Sequence, residues 1–542
     1  MLRPAFRKLS RLALSNHAAP AGLALLWASF FVGCIPIYLG AFPDEGDNLA
    51  IGLAITHGSV LFRDLFTHHF PLMYYWVAAA LALLGPTILA ARLSLLFLQL
   101  LVFALLMRIT RSAIPVGLAA VAWSATRHLY LAHMALYNVL DGLALAVVFG
   151  LVLAVVAEPA RSKTWVWVVV GAFSAMALLN DPLTAAPVGI GLIFLTFNGE
   201  RWRGGLLAGG IIALALVGYG SYLALSGTWP DFYRDVVLFN TLVYSKYYDL
   251  SLHFYALQLD HALTTGLNLT FPSTWLSPDN YSPNTNLSLF GQWLFGGFLQ
   301  RMALLAACVG LLFQRKWGAA AYAYLFAASL VPRTEVYFRE TPLVLVSCLA
   351  SASLLSLAWP PQWRLPGLQP SASSGPAVPV PPRAAPLARR LSAAGALGLV
   401  VWPIGLGLVI LIQHLGAYGY ATNFLVYKDL AAHLRTITCG RDVDLGYYPG
   451  DPTVYFFTGM RPVSKYEYLW PWVAEVAMPD VLTRLSQDEA VVQVLPVESV
   501  WGIPTSVYLA SLNSYVTTHF VPVGQDYLSP QLAAQCPPPA AP

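Results

Sequence analysis

The chain has 542 residues, 57% of them hydrophobic and only 10% charged, with a mean hydropathy of +0.62 and a formal net charge of +4. A soluble domain carries roughly 25% charged residues, so a large water-soluble core is excluded and a polytopic membrane protein is expected. The net charge says little by itself; how the charges are distributed says more.

Met1 to His17 is basic, but the apolar run after it is of membrane length and lacks a small-residue cleavage site. The segment 21–41 is therefore read as a retained first helix and not a cleaved signal. Phe42-Pro43-Asp44-Glu45-Gly46-Asp47 follows directly. Acids at a membrane boundary are a functional-site hypothesis by default. The ordinary alternative is that they cap an interfacial helix. His57, Arg63, Asp64, His68 and His69 lie in the same external loop, 42–87. Within it Pro71 to Leu84 is apolar, but counting it as a span would put Arg108 and Arg111 on the external side. It is read as a juxtamembrane or re-entrant helix. Further spans are expected at 88–107, 114–134, 142–157, 164–180, 183–198, 204–226, 291–313, 318–332, 340–358 and 394–415, eleven in all with the first.

The loops sort by charge. One side holds Arg3, Arg7, Lys8 and Arg11; Arg108 and Arg111; Arg161 and Lys163; Arg201 and Arg203; Arg315 and Lys316; and the arginines of 359–392. By the positive-inside rule the N-terminus is cytoplasmic and the C-terminus external. Segment 359–392, rich in Pro, Ala and Ser, reads as a flexible cytoplasmic linker. Segments 135–141, 228–290 and 333–340 read as external loops. The sequons at Asn268 and Asn286 are read as chance.

Residues 1–416 thus form a transmembrane domain, and 417–542 an external α/β domain ending in a disordered Pro-rich tail. In the latter an amphipathic helix is expected over Asn423–Thr436, β-runs over Val443–Tyr448 and Ala490–Leu495, and a helix over Ala474–Ser486. Cys34, Cys308 and Cys348 lie in apolar spans and read as core residues. Cys439 and Cys536 are candidates for a disulfide if the region is exported.

The notable polar groups fall on the external side. They are Asp44, Glu45 and Asp47; Arg92 at the start of the second span; Tyr137, Asn138 and Asp141 in the next external turn; Asn180-Asp181 in the one after; and Arg333, Glu335, Tyr337, Arg339 and Glu340 between the ninth and tenth spans. An amphiphilic donor with a phosphate head fits this arrangement. Arginine offers phosphate a planar, permanently charged fork, which makes Arg92, Arg333 and Arg339 phosphate-binding candidates. A carboxylate accepts a proton from an attacking hydroxyl, which makes Asp44 the base candidate. The structural alternatives are interfacial snorkelling for Arg92, pairing of Arg333 and Arg339 with Glu335 and Glu340, and helix capping by Asp141. Asp181 before Pro182 reads as a turn and N-cap. His68 and His69 are adjacent, point apart on a regular element, and are not read as a metal site. Tyr74-Tyr75-Trp76 reads as an interfacial belt first and a sugar platform second.

The ordered set of an external Asp44-Glu45 pair, Pro71 to Trp76, Arg92-Leu93, Asp141 and the turn Tyr337 to Pro342 resembles the GT-C glycosyltransferases of the protein-mannosyltransferase and aminoarabinose-transferase-like branch. The resemblance covers residues 20–358, and the C-terminal region, with Tyr455-Phe456-Phe457-Thr458-Gly459 near its start, is similar to appendages on bacterial members. It implies a polytopic α-helical GT-C fold in the plasma (inner) membrane, a polyprenyl-phosphate-linked sugar donor, an external active site and inversion at the anomeric carbon. It implies catalytic roles for Asp44 and Asp141 and positions near the lipid phosphate for Arg92 and Arg339. Glu45 is added as a catalytic candidate, Arg333 as a donor-phosphate candidate, and Tyr74, Tyr337 and His68 as substrate-contact candidates. Where many members carry Lys-Pro-Pro, this chain has His69-Phe70-Pro71; a histidine there donates to phosphate with a charge that depends on pH. The expected partners are the lipid-linked donor, a lipid, glycan or protein acceptor and the bilayer, with no nucleic acid. No cofactor is required by this chemistry, and carboxylates such as Asp44 and Asp141 do not by themselves select a divalent cation. A transporter or flippase would place its charges near the bilayer midplane and often show inverted repeats. A glycan sensor would not need eleven spans.

Overall fold

The computed structural model describes residues 18–247, 299–358 and 422–536, apart from 41, 111, 160–162, 198–201, 314 and 332–336, together with residue 256 and parts of 404–415. The linker 359–392, most of 228–290 and of 394–415, and Arg333 and Glu335 lie outside the described residues.

Helices run in chain order as α1 (Ala18–Cys34), α2 (Pro43–Thr56), α3 (Leu72–Leu84), α4 (Ile88–Thr110), α5 (Ala113–Thr126), α6 (Tyr137–Ala157), α7 (Thr164–Asn180), α8 (Ala185–Phe197), α9 (Trp202–Leu225), α10 (Leu299–Phe313), α11 (Trp317–Ala328), α12 (Thr341–Ala358), α13 (Thr422–Ile437), α14 (Thr453–Thr458), α15 (Pro471–Leu485), α16 (Ala510–His519) and α17 (Pro530–Gln535). Strands are β1 (Asp444–Tyr448), β2 (Ala490–Val494), β3 (Ser499–Val500), β4 (Ile503–Pro504), β5 (Val521–Val523) and β6 (Asp526–Leu528). Among the described residues four helices are long and apolar enough to cross a membrane: Ala19–Tyr38, Ile88–Thr110, Tyr137–Ala157 and Trp202–Leu225. The chain divides into two compact units. The first is Met1–Ile37, Arg92–Val217 and Tyr255–Ala417; the second is Tyr38–Ala91, Gly218–Phe254 and Tyr418–Pro542.

In the first unit α6 is the central helix. It is apolar on every side and buried along nearly its whole length, as such a helix must be. It packs against α7, α8, α11 and α12. α1 lies along α5, where small residues let the backbones approach. A Cβ on Gly22 would stand 2.7 Å from Ala113 Cβ, and one on Gly117 2.7 Å from Leu25 Cβ. The sequence expected a span over 114–134; the α-helix stops at Thr126 and continues as a 3-10 turn, Arg127–Tyr130. Leu131 then takes the left-handed conformation (φ 50°) and turns the chain. Asp181 caps the turn Pro182–Thr184, accepting from Leu183 N at 2.8 Å.

The second unit is built on a mixed sheet of order β1-β2-β6-β5. β1 and β2 run parallel, with Asp444 opposite Ala490; β6 pairs antiparallel with both β2 and β5. The connection from β1 to β2 passes through α14 and α15. α13 packs on α14, with Tyr427 stacked on Phe457 at 5.4 Å. Cys439 and Cys536 are disulfide-bonded, their Cα atoms 5.9 Å apart. The first-loop segments belong to the same core. Ala50 of α2 packs with Leu445, Val454 and Tyr455, and Phe66 packs with Tyr466 and Trp472. Phe66 N donates to Lys465 O at 2.8 Å. The head of the loop 228–290 is helical and includes a π-helix, Tyr233–Val243, which contributes Val236 and Phe239 to the apolar clusters.

Candidate active site

The acids read as opening a loop instead begin a helix. Pro43 occupies the first turn of α2, where its missing N–H is no loss, and Asp44 and Glu45 follow in the same turn, where carboxylates complement the helix dipole. No side chain caps this helix N-terminus. Glu45, Asp47 and Asn48 are buried.

Asp47 is held most explicitly. Its Oδ2 accepts from Tyr74 Oη at 2.8 Å, and Tyr74 Oη lies 2.6 Å from Thr67 Oγ1. Thr67 Oγ1 in turn accepts from the His69 backbone N–H at 3.1 Å. Asp47 Oδ1 has no hydrogen-bond partner among the described residues. Burial pushes the Asp47 carboxyl up to about 7; the hydrogen bond from Tyr74 draws it down and the charge of Asp44 pushes it up. Glu467, at the end of the segment linking β1 to α15, is also buried. Its carboxyl stands well above the ordinary range, from burial first and the charge of Asp47 second. The second unit therefore holds Asp44, Asp47 and Glu467 in electrostatic contact, and burial raises the carboxyls of the last two.

Gly46 makes this placement feasible. A Cβ there would stand 2.2 Å from Thr453 Oγ1 and 2.5 Å from Thr453 N, so only glycine lets α2 lie on α14. His68 and His69 stack with ring centroids 4.1 Å apart, and His68 lies 4.9 Å from Tyr244. Asn240 fixes the turn by donating to His68 O at 2.7 Å. Lys465 is paired with Asp235 and sits over the rings of Phe66 (5.7 Å) and Tyr466 (5.4 Å). Its ammonium is pulled below the usual lysine range by burial, against the opposing pull of Asp235.

The first unit holds Arg92, Asp141 and Arg339. Arg92 is fully buried and donates from Nη1 to Ile37 O at 2.5 Å. Asp141, read from the sequence as part of an external turn, lies within α6, which starts at Tyr137. It is buried, and its Oδ1 accepts from Asn180 Nδ2 at 2.8 Å, an amide that also reaches Tyr137 O. The turn Tyr337–Glu340 packs against α6 and against the turn Arg127–Tyr130. Arg339 and Glu340 lie on this turn. The Tyr337 side chain lies outside the described residues, as does Arg333.

Arg127 lies inside the span expected over 114–134 and has no motif of its own to mark it. It is buried, donating to Gly33 O at 2.8 Å and to Gln99 Oε1 at 3.2 Å. Gln99 also accepts from Trp123 Nε1 (2.9 Å) and donates to Ser124 Oγ (2.7 Å), which meets Ser29 Oγ at 2.8 Å. This polar ladder joins α1, α4 and α5. Among the described residues no group of three or more His, Cys, Asp or Glu is placed to hold a metal ion.

The architecture, an apolar helical unit and an α/β region, is ArnT-like. Two solved structures share it. One is the crystal structure of ArnT from Cupriavidus metallidurans bound to undecaprenyl phosphate, with 14% identity and a TM-score of 0.52 over 94% of this chain and 97% of that one. The other is the apo state of ArnT from Cupriavidus metallidurans, with 15% identity and a TM-score of 0.54 over 96% and 98%. The likeness is one of fold. No protein-family model and no curated protein sequence matches the chain.

Proposed function

We propose that the protein is an inverting glycosyltransferase that moves a sugar from a polyprenyl-phosphate carrier to an acceptor hydroxyl on the external face of the plasma membrane. The observation that carries this reading is the end-to-end likeness in fold to an ArnT structure bound to undecaprenyl phosphate, joined to an acidic helix start at Asp44-Glu45 directly after the first apolar helix. The proposed topology has eleven spans, a cytoplasmic N-terminus and an external C-terminal domain. The Cys439–Cys536 disulfide supports an oxidising side for that domain.

In the proposed mechanism Asp44 takes the proton of the acceptor hydroxyl. The oxygen then attacks the anomeric carbon from the face opposite the departing polyprenyl phosphate. Glu45 and Asp141 complete the acidic set. Arg92, Arg339 and Arg333 meet the charge that develops on the phosphate, with His69 in the place of the family's lysine. Tyr74 and Tyr337, with His68, serve as substrate contacts.

The test is transfer by purified protein in lipid, using labelled polyprenyl-phosphate pentose, hexose and amino-sugar donors with a cell-envelope extract. Label is expected in an acceptor with wild type and not with Asp44→Asn, which is expressed normally. Near-normal transfer by Asp44→Asn removes the base assignment. Movement of labelled lipid across the bilayer, equal in both proteins and without transfer, replaces the transferase by a flippase.

A further inference from the structure

The second unit carries an aromatic assembly that the chemistry above does not use. Trp472, near the start of α15, is its hub. Around it lie Trp470 (5.5 Å between centroids, 74° between planes), Trp501 (5.8 Å, 72°), Tyr244 (5.7 Å, 74°) and Tyr247 (5.7 Å, 60°), and Tyr468 extends the run at 4.7 Å from Trp470. These edge-to-face contacts fix the rings against one another. Trp472, Tyr244 and Tyr468 are buried, Trp470 and Tyr247 are half-buried, and Trp501 is 59% exposed. The assembly therefore has a rigid base and an open face.

Two details argue against simple core packing. Trp501 and Gly502 are the two loop residues of the β3–β4 hairpin, with φ of 54° and 73°. A bulky residue in the left-handed region is strained, and such strain collects at functional positions. A hairpin tip ordinarily takes Asn or Gly there, yet this one displays an indole. Second, Trp472 Nε1 is buried and has no hydrogen-bond partner among the described residues. A polar rim completes the patch: Lys246, next to Tyr247, is ion-paired with Glu475 of α15.

We propose that Trp501, Trp470 and Tyr247, held by Trp472, form a carbohydrate-binding platform that takes a neutral hexose or N-acetylhexosamine ring of a glycan. The C–H face of a pyranose lies flat on such rings. Its equatorial hydroxyls reach sideways, where Glu475 accepts and Lys246 donates. Preordered rings lose little entropy on binding. A bilayer anchor would call for separate amphipathic rings in a belt; here the rings are interlocked round one hub and edged by a fixed ion pair. The platform does not depend on the transferase reading and would bind glycan whether or not transfer occurs.

The test uses the full-length protein in lipid nanodiscs, titrated with chitotriose and with maltotriose and read by saturation-transfer NMR and tryptophan fluorescence. Saturable binding of at least one sugar is expected. Trp501→Gly removes the ring while suiting the left-handed backbone, and it should weaken binding by at least about tenfold, or about 1.4 kcal/mol. Trp501→Phe should keep most of it. Absence of saturable binding of both sugars by the wild type overturns the proposal, as does equal binding by Trp501→Gly. A component of the quenching by brominated acyl chains that is present in wild type and lost in Trp501→Phe also overturns it, and makes Trp501 a membrane anchor.

Discussion

Tyr74 and Asp47 form the end of a one-way hydrogen-bond chain. The His69 backbone N–H donates to Thr67 Oγ1, leaving the Thr67 hydroxyl proton for Tyr74 Oη and the Tyr74 proton for Asp47 Oδ2. The direction is set at one end by an amide and at the other by a carboxylate. α3 and α2 are thereby joined through a buried polar contact, and the Asp44-Glu45 helix start is fixed in register with the histidine turn.

Tyr74→Phe cuts this chain and leaves Asp47 Oδ2 without its donor. Destabilisation of about 1–3 kcal/mol is expected, read as a lower melting temperature in detergent or nanodiscs. Because the lost hydrogen bond holds the carboxyl down, the Asp47 titration should move above about 7 in the variant. An unchanged melting temperature would mean that the contact contributes nothing net.

Asp47 gives stability a pH slope of defined sign. Its carboxyl releases a proton near its ordinary 3.8 when unfolded and near 7 when folded. Between those values the native state binds more protons, so this group's contribution falls as pH rises through the window and is level above it. Glu467 extends the same trend, since its carboxyl is also raised. Asp47→Asn, which still accepts from Tyr74, should therefore gain on the wild type from pH 5 to pH 8. Parallel melting curves across that range would contradict the assignment.

Gly46→Ala should destabilise by about 1–3 kcal/mol, since overpacking forces the elements apart. The added methyl meets both Thr453 Oγ1 and the Thr453 backbone nitrogen. Thr453→Ala removes only the first of these, so the double variant should recover only part of the loss in chemical or thermal unfolding. Full recovery would place the clash in the side chain alone.

Arg127→Lys should lower the stability of the helical unit by about 2–3 kcal/mol despite keeping the charge. A single ammonium cannot reproduce a fork that serves Gly33 O and Gln99 Oε1 together. Gln99→Ala in the Arg127→Lys background should cost less than it does alone, because the bond the two residues share is already lost, while the bonds of Gln99 to Trp123 and Ser124 still count. Additive losses in unfolding measurements would show them to be independent.

Legibility in the sequence followed the physics of each segment. The amphipathic period of Asn423–Thr436 located α13 to within a residue at either end, and alternation located β1 and β2. Pro43 followed by Asp44 and Glu45 carries a helix-start signal, the ordinary alternative weighed for these acids, and the helix is there. The start of α6 was harder, because Leu136 offers no capping side chain and Tyr137 and Asn138 look like turn residues. Glu467 had no local signature at all. It is brought to Asp47 by packing between segments far apart in the chain, which no periodicity records. Arg127 was hidden by its apolar neighbours; an arginine inside a span is itself the signal that a buried acceptor must be near.

The second unit draws on three stretches, Tyr38–Ala91, Gly218–Phe254 and Tyr418–Pro542. During synthesis the first emerges early, yet Thr453, Lys465 and Glu467, which it packs against, are translated long after it. The acid-bearing helix must wait, incompletely supported, until those later stretches have been made. Domains ordinarily fold as units from the N-terminus onward. In this chain a stop codon placed after α12 would remove none of the residues proposed to act in transfer and still leave Asp44 without its scaffold.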